Sequence, residues 1–199
     1  MAKIIQFPLN PAPEKFGLQR ARKKKTKEGG KAGQLNLFSG GKVVKLNRLS
    51  VFEEALLLDE QGDAKKARQG YQKAIEEEDC APDAYCNLGI IESQEGNYPK
   101  AIDCFTLCLK ENPRHSEAHY NLANLYAEVG NHALAKVHYG IAIELEPEFP
   151  NSYYNLGLTL AHIKEYRDAV LFLRKYKDLA PAEEHHQTDD LICKLSSTL

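Results

Sequence analysis

The sequence holds no tryptophan, a single methionine and no apolar run approaching the ~20 residues that a membrane-spanning helix needs, so no membrane partner is expected. Its first residues offer only the short cluster IIQF before prolines, which is not the pattern of a secretory signal. Cysteine is sparse and odd in number. Cys80, Cys86, Cys104, Cys108 and Cys193 without such a signal suit reduced thiols, and the expected compartment is cytoplasmic, or nuclear in a eukaryote. A glycine-rich phosphate loop, a nucleophile elbow and a paired-histidine motif are all missing. Neither catalysis nor a cofactor is expected.

What is present is enough apolar matter for a core, 43% of residues, and an uneven distribution of charge. Residues 1–47 carry 11 Lys and Arg against 2 acids, or +9, and residues 48–199 carry 15 against 26, or −11, which together give the net −2. A basic arm joined to an acidic body attracts either an anionic partner or its own body.

The body repeats itself every 34 residues. Ala67, Ala101, Ala135 and Ala169 fall at that step, as do Tyr71, Phe105, Tyr139 and Leu173, and Pro113, Pro147 and Pro181, with Asp79 in the first proline's place. The segments YCNLG (85–89), YNLA (120–123) and YNLG (154–157) keep the same phase. Within a unit, apolar residues recur at helical spacing, for instance Leu122, Leu125, Tyr126 and Val129. Gly62, Gly96 and Gly130 suit the left-handed ends of helices, and Asp63, Asn97 and Asn131 suit the caps of the helices that follow. The fourth unit carries Lys164 and Glu165 at that turn.

These positions resemble the tetratricopeptide repeat (TPR) family, whose pattern is W-x2-L-G-x2-Y, then A-x3-F, then P. The resemblance covers four repeats over 48–181, with approximate limits 48–81, 82–115, 116–149 and 150–183. Two departures stand out. The opening aromatic position holds Val51, Tyr85, His119 and Tyr153 in place of tryptophan, and Glu54 stands where Leu88, Leu122 and Leu156 stand later. The resemblance implies an all-α fold, eight antiparallel helices in a right-handed helix-turn-helix solenoid. Residues 184–199 are expected to add a capping helix, with Leu191, Ile192 and Leu195 turned inward.

The same resemblance places the first helix of each repeat on a concave binding face, and so implies a protein-interaction adaptor. Asn87, Asn121 and Asn155 occupy one position of three successive repeats and look like the asparagine ladder of O-linked N-acetylglucosamine transferases. Each side chain can donate to and accept from a peptide backbone, or can simply be solvated. Tyr120, Tyr154, Asn124, Glu117, Asp83, Asp59 and Glu128 are expected around them, a lining suited to a basic extended segment. The cation clamp with which chaperone-binding TPR domains hold a terminal carboxylate is not matched. Phe52, Leu56, Asn87, Glu117 and Asn121 stand at its positions, and only Asn87 fits.

Metal ligation is not expected. Cys104 and Cys108 share a helix face, but Cys108 stands where Ala74 and Ala142 stand in other repeats, a small buried position. His185, His186, Asp189, Asp190 and Cys193 suit the polar side of a capping helix.

The arm, residues 1–47, has the proline, glycine and clustered charge of a disordered segment. Its RARKKKTK run (20–27) can contact phosphates of nucleic acid, or can be a solvated charge run. QLNLF (34–38) resembles the pentapeptide by which bacterial replication and repair proteins bind the DNA sliding clamp. Gln34 would hydrogen-bond there, and Leu35, Leu37 and Phe38 would anchor. Three receptors stand open for the arm: the first repeat, the chain's own groove, or a separate partner such as the clamp. A DNA-associated adaptor is the alternative to a plain peptide-binding one.

Overall fold

A computed structural model describes residues 19–21 and 49–198. Nine α-helices follow one another among the described residues: α1 (Val51–Glu60), α2 (Ala64–Glu76), α3 (Ala81–Gln94), α4 (Tyr98–Glu111), α5 (Ser116–Glu128), α6 (His132–Leu145), α7 (Pro150–His162), α8 (Tyr166–Leu179) and, after a 3-10 turn at Ala182–Glu184, α9 (His185–Ser196). Each odd helix pairs with the next even one, and each pair leans on its neighbour, so the body is a helical-repeat solenoid closed at one end by α9. No helix among the described residues is long and apolar enough to cross a membrane.

Local chemistry sets the boundaries. Ser50 and Glu53 form a capping box at α1, satisfying two backbone N–H groups that the first turn leaves without helical partners. Gly62, Gly96 and Gly130 end the odd helices with φ of +82, +78 and +82°, and Lys164 takes φ +65° at the fourth turn. Asp63 and Asn131 then accept from the N–H of Lys66 and Leu134. Asn97 departs from the expectation: it makes no side-chain cap, because its amide nitrogen donates to Glu92 Oε2 at 3.0 Å and to Glu95. Asp79, standing where later repeats have proline, accepts from the Phe52 N–H and fixes the start of α1.

The four periodic alanines are completely buried, which lets the paired helices approach closely. Gly89 and Gly157 carry the same logic further, since a Cβ on either would lie 2.8 Å from the Phe105 ring or from Leu173. Leu195 is fully buried and Leu191 and Ile192 are partly so, all against the core built from α5 to α8. Val129 ends the run of helically spaced apolar residues on α5. It forms the C-terminal cap of α5 and is 49% exposed.

Candidate peptide-binding face

α1, α3 and α5 present Asp59, Asn87 and Asn121 to one extended piece of the chain's own arm, Gln19–Arg20–Ala21. Asn121 accepts from the Gln19 N–H at 2.8 Å and donates to the Gln19 carbonyl at 2.7 Å. Asn87 does the same to Ala21, at 2.8 and 2.9 Å. Alternate residues of an extended backbone turn their N–H and C=O to the same edge, so one amide side chain per repeat serves residues two apart. The segment runs from Asn121 in the third repeat to Asn87 in the second.

Arg20 reaches the first repeat. Its Nε and a terminal nitrogen meet the two oxygens of Asp59 at 2.7 and 3.0 Å, a two-pronged ion pair. The Asp59 side chain is 4% exposed. Those hydrogen bonds hold the Arg20 pKa above its ordinary value, outweighing the burial that opposes its charge. The Tyr71 hydroxyl joins the two contact points, donating to Asp59 Oδ2 and accepting from Asn87 Nδ2, each at 3.2 Å. Burial and the nearby carboxylate push the Tyr71 pKa far up, which keeps it a donor. Ala21 is completely buried and joins the apolar cluster of Cys86, Ile90, Phe105 and Leu122.

Asn155 donates to the Tyr120 hydroxyl at 3.0 Å and to Asn124 Oδ1 at 2.9 Å, where Tyr139 also donates. Tyr120 is 1% exposed, edge-on to Tyr139 and Phe149, so it contributes its hydroxyl more than its ring surface. Tyr154 is half-buried beside Tyr176, and Glu128 lies exposed with Tyr98 donating to it. Glu117 and Asp83 flank His115 at 3.3 and 3.1 Å. Burial works against a charged His115, yet hydrogen bonds to Asp83 and Cys108 push its pKa up to about 10. The Cys108 thiol is held below its usual range by hydrogen bonds from Cys86 and His115, and both thiols are buried with residues 19–21 in place. Among the described residues no cluster of His, Cys, Asp and Glu is arranged to hold a metal ion. Gln34, Leu35, Leu37, Phe38 and residues 22–27 of the basic run lie outside the described residues.

The sequence places Asp59 in the acidic lining but does not single it out as the partner of a guanidinium, nor Cys86 as part of a receiving cluster, although each breaks the period. Asp59 aligns with Ser93, Ala127 and Ala161, so a carboxylate replaces a small side chain. Cys86 aligns with Tyr120 and Tyr154, and its smaller side chain stands in the cluster that receives Ala21.

Family models for the tetratricopeptide repeat match residues 82–115 and 120–184. The chain belongs to the tetratricopeptide repeat family. Among solved structures, a crystal structure of MamA protein is similar at 20% identity and TM-score 0.64, covering 74% of this chain and 81% of that one. MamA 41-end from Desulfovibrio magneticus RS-1 follows at 18% identity and TM-score 0.60, covering 74% and 92%. The first TPR of Spaghetti (RPAP3), bound to the HSP90 peptide SRMEEVD, matches at 20% identity and TM-score 0.51, covering 55% and 86%. No curated protein sequence matches the chain.

Proposed function

We propose that the protein is an interaction adaptor whose concave face holds an extended peptide segment by its backbone. Asn87 and Asn121 are the grips, and Asn155, Asn124 and Tyr120 continue the polar row toward the fourth repeat, with Tyr154 and Glu117 at its margins. The observation that carries this reading is the pair of two-way hydrogen bonds from Asn87 and Asn121 to Ala21 and Gln19. A bond of this kind to the backbone is indifferent to side-chain identity. It therefore supplies affinity for any chain that can extend across the groove.

The related TPR domain bound to SRMEEVD takes a peptide rich in acids. The face here is itself acidic, with Asp59 and Glu117 where a segment passes and a guanidinium as the charge it receives. Basic segments are the ones it suits.

The test uses the full chain with Arg20→Glu and Ala21→Glu in its own arm, so that the groove is free for an added ligand. Titration with a fluorescent peptide of residues 15–25 should saturate, and adding Asn121→Ala to the protein should weaken binding roughly tenfold, the effect of losing about 1.4 kcal/mol of hydrogen bonding. Unchanged affinity in that variant, with helicity intact, would refute a backbone grip.

A further inference from the structure

Backbone grips alone would accept any sequence, but the two contacts between them do not. With Arg20 in place the Asp59 side chain is almost shut off from water, on a helix whose other groove positions offer no cation. A segment that covered it without a cation opposite would strand a buried charge. Tyr71 donates to its Oδ2, and the fork of Arg20 meets both Oδ2 and Oδ1. A lysine has one point of charge and cannot match both oxygens in plane. The next residue along is equally constrained: Ala21 has both backbone groups held by Asn87 and its side chain fully buried among Cys86, Ile90, Phe105 and Leu122. A larger side chain at that point would overpack a closed cluster.

Resting on the peptide-binding reading above, we propose that the concave face selects an arginine followed by a small residue in an extended partner segment, and that residues 19–21 are the chain's own competing copy of that pattern. The occupant is thus a basic stretch of a partner protein carrying Arg-Ala, Arg-Gly or Arg-Ser. The choice of arginine comes from Asp59 and the choice of a small neighbour from the cluster under Ala21, both positions where the repeat's own period is broken.

The resident segment does not fill its site. A cavity of about 130 Å³ lies beside Gln19 and Arg20, lined also by Tyr120, Phe149 and Ser152. The Ser152 hydroxyl is buried there without a hydrogen-bond partner. A partner whose side chain at the Gln19 position reaches that hydroxyl makes a bond the resident leaves unmade. Such a partner can displace a tethered competitor, which otherwise enjoys a local concentration of order mM.

The experiment compares peptides on the full chain carrying Arg20→Glu and Ala21→Glu in its arm. Against the 15–25 peptide, versions with Arg20→Lys or Ala21→Leu should bind at least tenfold more weakly, and the chain with its native arm should bind the unaltered peptide more weakly than the opened variant. In the comparison of the three peptides the protein does not change, so misfolding cannot produce that ranking. Equal affinity for all three peptides, with Asn121→Ala still harmful, would overturn the selectivity and leave the backbone grip standing. Insensitivity to Asn121→Ala would remove both. Equal affinity in the native-arm and opened chains would overturn the competing role of residues 19–21.

Discussion

Asp59, Tyr71 and Asn87 form one hydrogen-bonded unit, and each depends on the others for its orientation. Removing the Tyr71 hydroxyl leaves Asp59 and Asn87 each short of a buried partner. Tyr71→Phe should therefore cost about 1–3 kcal/mol in urea unfolding of the full chain, and a loss below ~0.5 kcal/mol would show the unit to be dispensable. Histidine gives a second test at this scale. The His138 ring faces His119 with Nδ1 atoms 2.9 Å apart, and burial, then the neighbouring histidine, lowers its pKa to about 4. The unfolded chain then binds a proton near pH 6.5 that the folded chain refuses until about 4. The stability His138 contributes is present above pH 6.5 and declines as pH falls through that window. His138→Gln should flatten the slope of unfolding free energy between those limits; a slope unchanged by the substitution would contradict the assignment. Legibility was uneven among such residues. The asparagine row shows in the sequence as a period and Asp59 as one acid of the expected lining, whereas Cys86 shows only as an exception to the period, and an exception has no meaning until the segment it meets is known.

At the scale of the helix pair, packing is set by what the inner positions lack. Gly89 faces the Phe105 ring and Gly157 faces Leu173 with no room for a methyl group, while Gly140, on α6, has open space around its Cβ position. Gly89→Ala should destabilise the fold by roughly 1–3 kcal/mol through overpacking. Gly140→Ala should stabilise it by about 0.5–1 kcal/mol through lost chain entropy. Thermal or urea unfolding separates them, and a harmless Gly89→Ala would mean that the α3–α4 contact is looser than its distances imply. Helix number and pairing follow directly from the 34-residue phase, since the buried alanines and turn glycines recur in it. The caps were less legible. Asn97 stands in the phase of Asp63 and Asn131, yet the carboxylates of Glu92 and Glu95 lie within reach and compete for its amide. Such neighbours are specific to one repeat and leave no periodic trace.

The whole molecule sets a basic arm against an acidic solenoid, +9 against −11. That complementarity is long-ranged and weakens with salt, whose screening length is about 8 Å at physiological ionic strength. The hydrogen bonds of Asn87 and Asn121 are short-ranged and do not. Raising the salt from low to moderate should weaken, without abolishing, the binding of the residue 15–25 peptide to the opened chain, read by the same fluorescence titration. The sequence displays the charge imbalance plainly. It does not display which three residues of the arm lie between the asparagines, because Gln-Arg-Ala carries no apolar pattern of the sort that QLNLF does. The contact is made through backbone, through one guanidinium and through the smallness of a single side chain.

The most direct measurement of the central claim is amide hydrogen exchange at Gln19 and Ala21 in the full chain, with Asn87→Ala and Asn121→Ala variants beside it. A concave face that grips an extended backbone predicts both amides protected roughly tenfold or more over random-coil rates. It also predicts that Asn87→Ala releases chiefly Ala21 and that Asn121→Ala releases chiefly Gln19. Random-coil exchange at both amides in the unaltered chain would contradict it.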